Sequence, residues 1–400
     1  MMKLYENLKR HEVVKWNIET MAASAERSEF APYQILDRKC IASYSFDMAS
    51  KDRRIVVPGA PRSFNKWQGG DISSKFNQPL EIPDDWNLDA MFTAIKIMDP
   101  SFQLSDYDIA ADMETIKSLF HICLQIVNVI RSKSGQIPVG SFKIGFGEVK
   151  QRIDVQMIGP TLLLFKPQVD LGSAAGVGME FRQVCTEAPP TSMIRGGKLD
   201  DAILKGMFKM VSGITMGNLR ILVSSEIESA TYPSQIGQTQ AYAAPNDADL
   251  KVDIGGFEGD LSALTPIALA SRSAAATSLH HQKYLRQYIL GISYNYVGLH
   301  VRGVFYTPPS MKRLEELPAM CGLLDQSAAD LWAKVLHSVL GEIVGFARHF
   351  NFEAANGPLG AKFGIIVDPD HGQLSFYEYE NGEKIQAVSE KTLDFLLSLD

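Results

Sequence analysis

Four cysteines in 400 residues, Cys40, Cys123, Cys185 and Cys321, stand far apart, and none belongs to a C-x-x-C pair. That spacing offers neither a zinc site nor a disulfide framework and fits a reducing compartment, cytosol or nucleus. A phosphate-binding loop is also missing. Gly172-Ser173-Ala174-Ala175-Gly176-Val177-Gly178 lacks the required lysine and reads as a turn. With 39 basic against 46 acidic residues the formal charge is −7, which excludes a broad basic surface that coats nucleic acid without sequence preference. A local basic groove is still compatible with it, but no run of Lys and Arg reads as a nuclear import signal. Met1 to Glu19 is charged and has no apolar run of the secretory kind. The most apolar helical run, Leu119 to Ile130, is short for a bilayer and carries His121, Gln125 and Asn128. Internal repeats and low-complexity tracts are lacking as well. What is present, 46% hydrophobic and 21% charged residues, is the composition of a folded soluble protein.

No linker divides the chain, so the expectation is one large α/β domain. A polar N-terminal arm precedes a strand over Lys39 to Phe46, and Pro58 to Lys75 reads as a long ordered loop. Asp84-Asp85 opens an amphipathic helix carrying Trp86, Leu88, Met91, Phe92 and Ile95, and Ile116 to Ile130 is a second, more buried helix. Ile153, Val155 and Met157 alternate with Asp154 and Gln156 in a strand that turns at Gly159-Pro160 into Leu162 to Phe165. Leu199 to Val211 has helical spacing, and Leu219 to Ser229 reads as a strand. Ala230 to Leu264 is weakly periodic and reads as a mobile insertion with room for a short strand. Beyond it the pattern predicts a strand over Pro266 to Ala270, a helix over His281 to Leu290 and a β run over Tyr294 to Phe305, its aromatics buried. A long helix over Asp325 to Phe350, a hairpin around Asp368 to Gly372 and a closing helix over Val388 to Leu397 complete it.

The chemistry-bearing feature is Ser225-Glu226-Ile227-Glu228. On a strand, Glu226 and Glu228 share one face, and with Glu180 they could form a carboxylate cluster for a divalent cation. Without a third partner, such a pair is ordinarily the solvent face of a strand. His280-His281 is a less persuasive pair, because helix neighbours point about 100° apart.

Several segments in order resemble the decapping exoribonuclease (DXO) family, which acts on RNA 5′ ends. Cys40 to Asp47 resembles its F-S-x-D strand, and Gly147 to Phe165 its paired strands. Gly176-Val177-Gly178-Met179-Glu180 is similar to its G-x-x-x-E motif, and Glu226-Ile227-Glu228 to its E-x-D motif. Lys283 to Tyr288, leading into Gly291 and Val297-Gly298, resembles the helix and strand after the active site. The resemblance implies a single domain of two twisted mixed β-sheets flanked by helices around a central cleft. It covers 38–400, after an arm at 1–37 and with an insertion at 230–264.

The departures from the family carry the functional reading. Phe146, in Gly145-Phe146-Gly147, stands where the family has an arginine in a W-R-G setting, and an aromatic ring cannot hydrogen-bond a phosphate as a guanidinium does. Glu228 stands for Asp, a longer arm. The E-x-K motif has two readings. At Pro266-Ile267-Ala268-Leu269-Ala270 both acid and lysine have become alanine, and two-metal hydrolysis loses a ligand and a charge. At Ala248-Asp249-Leu250-Lys251 an acid and a lysine survive.

The first reading implies a pseudoenzyme with vestigial metal positions at Glu180, Glu226 and Glu228 and no cofactor, with RNA held by Lys and Arg at the cleft rim. The second implies an active Mg- or Mn-dependent 5′-end hydrolase using Asp249 and Lys251. The pattern of loss resembles degenerate insect germline members of the family. That resemblance implies a nuclear role on piRNA-cluster transcripts and protein partners, Rhino and Deadlock.

Overall fold

A computed structural model describes residues 2–9, 12–27, 35–47, 54–72, 88–136, 150–166, 177–198, 200–204, 206–235, 241–243, 250–274, 281–321, 326–354, 359–380 and 386–398. In chain order the strands are β1 (Val14–Asn17), β2 (Ile35–Phe46), β3 (Arg54–Val57), β4 (Ser63–Phe64), β5 (Gly70–Asp71), β6 (Ile109–Asp112), β7 (Gln151–Ile158), β8 (Thr161–Phe165), β9 (Thr186–Glu187) and β10 (Met207–Met216). They continue as β11 (Leu219–Glu226), β12 (Ser229–Thr231), β13 (Lys251–Ile254), β14 (Thr265–Ser273), β15 (Tyr294–His300), β16 (Val304–Phe305), β17 (Ser310–Arg313), β18 (Leu359–Asp368) and β19 (Gln373–Tyr377). The helices are α1 (Ile18–Arg27), α2 (Asp89–Met98), α3 (Met113–Lys117), α4 (Phe120–Lys133), α5 (Val177–Val184), α6 (Asp201–Leu204), α7 (His281–Leu290), α8 (Leu317–Met320), α9 (Gln326–Ala354) and α10 (Glu390–Leu397).

Eleven strands form one mixed sheet in the order β1-β19-β18-β7-β8-β6-β11-β10-β2-β3-β13, and six form a second in the order β17-β15-β14-β12-β4-β9; β16 and β5 make a small ribbon. The large sheet is covered on both faces. One face packs against α1, α4, α7 and α9 through Phe120, Leu285, Trp332, Leu336 and Phe363; the other packs against α2 and α10 through Phe92, Leu163, Leu222 and Leu396. This two-sided burial explains β7, whose residues from Arg152 to Ile158 are all buried, so its apolar–polar alternation does not mark a wet face. Asp154 is buried there with Arg152 Nε donating to it at 2.7 Å, and burial outweighs that cation and pushes its carboxyl up from the ordinary value. In α9, Trp332, Val335, Leu336, Val339, Leu340 and Ile343 recur at helical spacing and are all buried.

Several expectations are corrected. Leu199 to Val211 is not a helix: α6 covers four residues, and β10 follows between β2 and β11, where pairing on both edges overrides local helical spacing. Ile116 to Ile130 belongs to two helices, because Asp112 caps α3 early, accepting the Glu114 N–H, and the chain breaks at Ser118-Leu119. The 21 residues Met113–Lys133 are long and apolar enough to cross a membrane by composition, contrary to the expectation from length; 67% of the most apolar window is buried, as in a core helix. The N-terminal arm is built into the domain, with β1 on the edge of the large sheet and α1 packed on α4 and α9 through Met21, Ala22 and Ala25. The insertion contributes β13, the short strand that the pattern left room for, and it is packed in its described part, burying Leu250, Phe257, Leu261 and Leu264. Tyr294 is 38% exposed while Tyr296, on the same face of β15, is fully buried, because Tyr294 is the first residue of the strand whereas Tyr296 packs against Phe64 and Phe181. Phe146, Asp249, His280, Asp84, Asp85 and Trp86 lie outside the described residues.

Candidate functional site

The two sheets meet where the chain passes from β11 to β12. β11 stops at Glu226, Ile227 tucks into a small apolar cluster with Phe208, Ala268 and Ile292, and β12 begins at Ser229 in the second sheet. Glu226 and Glu228 therefore do not lie on one continuous strand: Glu226 ends β11, and Glu228 sits on the link between sheets. Their carboxylates nonetheless converge, on a residue not anticipated. Arg182 of α5 donates from Nη1 to Glu226 Oε1 and from Nη2 to Glu228 Oε1, both at 2.6 Å. The second oxygen of Glu228 accepts the Leu269 backbone N–H at 2.5 Å.

The position of Arg182 follows from its helix. Its neighbour Phe181 is fully buried and stacks on Phe305 at 5.2 Å between centroids, which anchors α5. Gly178, one turn earlier, faces Ser271 of β14, where α5 packs on the second sheet. Glu180 lies on the same helix and is buried. It does not complete a ligand set: among the described residues no three His, Cys, Asp or Glu side chains come together where they could hold a metal ion.

More cations stand beside the pair. Lys283 and Arg286, three residues apart on α7, share a helix face. Lys283 Nζ donates to the Leu269 carbonyl at 3.3 Å, and Arg286 Nη2 donates to the Glu226 carbonyl. Burial works against the Glu228 charge, but Arg182, Lys283, Arg286 and the Leu269 N–H outweigh it and hold the carboxyl at about 2. The Lys283 ammonium is pushed down from its ordinary value by burial and by the neighbouring Arg182 and Arg286, against the pull of Glu228 and Glu226.

A second charged group adjoins the first. The β10–β11 register sets Lys209 opposite Glu226, and its ammonium pairs with Asp112 at the end of β6. Glu114, its side chain 55% exposed, pairs with Lys117 at 2.9 Å and is held at about 2 by Lys117, Arg286 and Lys166. Lys166, just past β8, is pushed down chiefly by burial and donates to Gln151 at 3.1 Å.

The two segments offered for the last motif lie in different places. β12 pairs antiparallel with β14, Ser229 opposite Ile267, and one further step of that register brings Ala268 level with Glu228. Ala268 and Ala270 are both buried among apolar side chains. Lys251 lies on β13, the edge of the large sheet, four strands from β11 by way of β3, β2 and β10, roughly 19 Å at ordinary strand spacing.

Arg182, Lys283, Arg286, Lys209 and Asp112 were missed at the level of sequence. Arg182 stands only two residues beyond Glu180, and the i, i+3 spacing of Lys283 and Arg286 marks a basic helix face, but nothing local reveals what either meets. The arrangement does not fit a divalent cation. Two carboxylates with three of their four oxygens hydrogen-bonded fall short of the oxygen-rich shell that Mg²⁺ or Mn²⁺ takes, and three cations crowd them.

Comparison with solved structures shows the same architecture. Rai1 of Scheffersomyces stipitis matches at a TM-score of 0.62 and 10% identity, covering 98% of this chain and 100% of that one. Schizosaccharomyces pombe Rai1 in complex with 3′-FADP matches at 0.59 and 11%, over 91% and 98%. Candida albicans Rai1 in complex with pU5-Mn²⁺ matches at 0.58 and 12%, over 98% and 100%. At these identities the likeness is one of fold: this chain has the mixed α/β fold of the Rai1/DXO structures. No family model matches the sequence, and neither does any curated protein.

Proposed function

We propose that this chain keeps the fold of RNA 5′-end hydrolases without their hydrolysis, and serves as a nuclear scaffold that holds RNA ends and protein partners. The observation that carries this reading is the state of the acid pair. Glu226 and Glu228 are bound by Arg182, and the strand that would supply a further acid and a lysine offers Ala268 and Ala270. Two-metal hydrolysis needs open carboxylates that gather the ions and hold the attacking and leaving oxygens in line. Here the carboxylates serve an arginine, and no metal cofactor is required.

RNA recognition then falls to cations of the seam, Lys117, Lys166, Lys283 and Arg286, which supply phosphate contacts without reading sequence. The finer resemblance, to the insect germline protein Cutoff, extends the reading to piRNA-cluster transcripts protected from processing or termination, with Rhino and Deadlock as partners in the nucleus. The rival reading, an active hydrolase using Asp249 and Lys251, is disfavoured by the edge position of Lys251.

The test is direct. The purified chain is incubated with capped, triphosphorylated and monophosphorylated RNA in Mg²⁺ or Mn²⁺, and binding is followed by fluorescence anisotropy. Intact RNA and a binding constant that weakens with salt are expected. Release of nucleotides or caps that Glu226→Ala abolishes would overturn the reading.

A further inference from the structure

We propose that Arg182 is a built-in counter-ion that occupies the acid pair in place of a divalent cation, so that the native site is closed to metal and opens when the guanidinium is removed. The proposal deepens the reading of a non-hydrolytic site, and it concerns the occupancy of that site rather than the fate of RNA.

The geometry is that of a fork. Each Nη of one planar guanidinium faces one carboxylate at 2.6 Å, the short range of charge-assisted bonds. A guanidinium carries its charge at any ordinary pH, so the lock does not titrate away. A metal ion competing for the pair would find Glu226 Oε1 and Glu228 Oε1 turned to Arg182 and Glu228 Oε2 turned to the Leu269 amide. It would also approach Lys283 and Arg286, both near enough to act on Glu228. The backbone that carries Arg182 is anchored, because Phe181 beside it is sealed in the core and α5 packs on β14.

Removing Arg182 inverts the situation. Glu228, its side chain only 5% exposed, would be left beside Glu226 without its principal counter-charge. An acid pair with one member buried and the other 23% exposed takes up protons or a cation, and a hard divalent ion suits two carboxylates.

Mn²⁺ binding to the full-length chain, followed by electron paramagnetic resonance at neutral pH, tests this. The native chain is expected to show no saturable Mn²⁺ site sensitive to Glu226→Gln. Arg182→Ala is expected to gain one that is at least about tenfold tighter than anything in the native chain and that Glu228→Gln removes. Arg182→Gln, which fills the space without the charge, is the second variant should the alanine form fail to fold. Saturable binding to the native chain that Glu226→Gln abolishes would overturn the proposal. So would a folded Arg182→Ala or Arg182→Gln protein, checked by circular dichroism, that gains no Mn²⁺ site. The two readings fail separately: metal-free cleavage of RNA would break the scaffold reading and leave the lock intact, whereas native Mn²⁺ binding would break the lock whether or not RNA is cut.

Discussion

Two arginines gather acids in this molecule, Arg54 and Arg182, and they leave opposite balances of charge. Arg54 bonds Asp47 at 2.9 Å and Asp200 at 2.7 Å, and pairs with Asp253 as well, one cation among three carboxylates where β3, β13 and α6 meet at the edge of the large sheet. Arg182 lies between two carboxylates with Lys283 and Arg286 beside it, so positive charge is in surplus. Exposure varies within each cluster: at Arg54 the Asp200 and Asp253 side chains are 33% and 43% exposed and Asp47 8%, and at Arg182 the Glu226 side chain is 23% exposed and Glu228 5%. The same guanidinium fork is thus a clasp for a sheet edge in one place and a substitute ion in the other. What separates them is the number of acids gathered and the cations alongside.

The comparison breaks most readily at Arg182. Arg182→Ala leaves the buried Glu228 carboxylate without its principal counter-charge and is expected to cost about 3–5 kcal/mol of unfolding free energy, measured by urea denaturation. A loss below about 1 kcal/mol would put this cluster in the class of ordinary surface pairs. Acid should remove part of the same stabilisation. Glu228 is held at about 2 against an ordinary value of 4.5, so its contribution is fully present above pH 4.5 and is lost as the pH falls toward 2; Glu114 adds a contribution of the same sign. The urea midpoint should therefore drop across that window, and less steeply in Arg182→Ala. Equal slopes in the two proteins would disconnect Glu228 from Arg182.

Arg54→Ala should cost less, about 1–2 kcal/mol, with amide exchange accelerated over β3 and β13 and unchanged over β11. Faster exchange at β11 would mean that the two clusters are not independent. The smallest effect is expected for Lys251→Ala: a change in stability within about 0.5 kcal/mol and no change in RNA affinity. A large loss of RNA binding would return Lys251 to the site.

Much of the fold was legible where a local pattern and its tertiary setting agree. The helix over His281 to Leu290 and the hairpin around Asp368 to Gly372 were readable because their apolar spacing also faces the core. Legibility failed where pairing partners decide. Met207 to Val211 has helical spacing but becomes a strand because β2 and β11 claim both its edges. The site divides the same way. Glu226-Ile227-Glu228 announces itself by alternation, whereas its true occupant comes from a helix 44 residues upstream, and no period in the sequence links the two. The alternation even suggested the wrong geometry, since the acids converge across a junction and not along one strand face.

That junction has a mechanical consequence. From Glu226 at the end of β11 to Ser229 at the start of β12 the chain has no slack, and Arg182 fastens both acids of the link to a helix packed on the second sheet. Drawing the sheets apart would pull the last pairing of β11, the first of β12 and the guanidinium fork in one motion. The large sheet and the small one are therefore expected to unfold together. The seam that looks like a place for the molecule to hinge is where it is riveted.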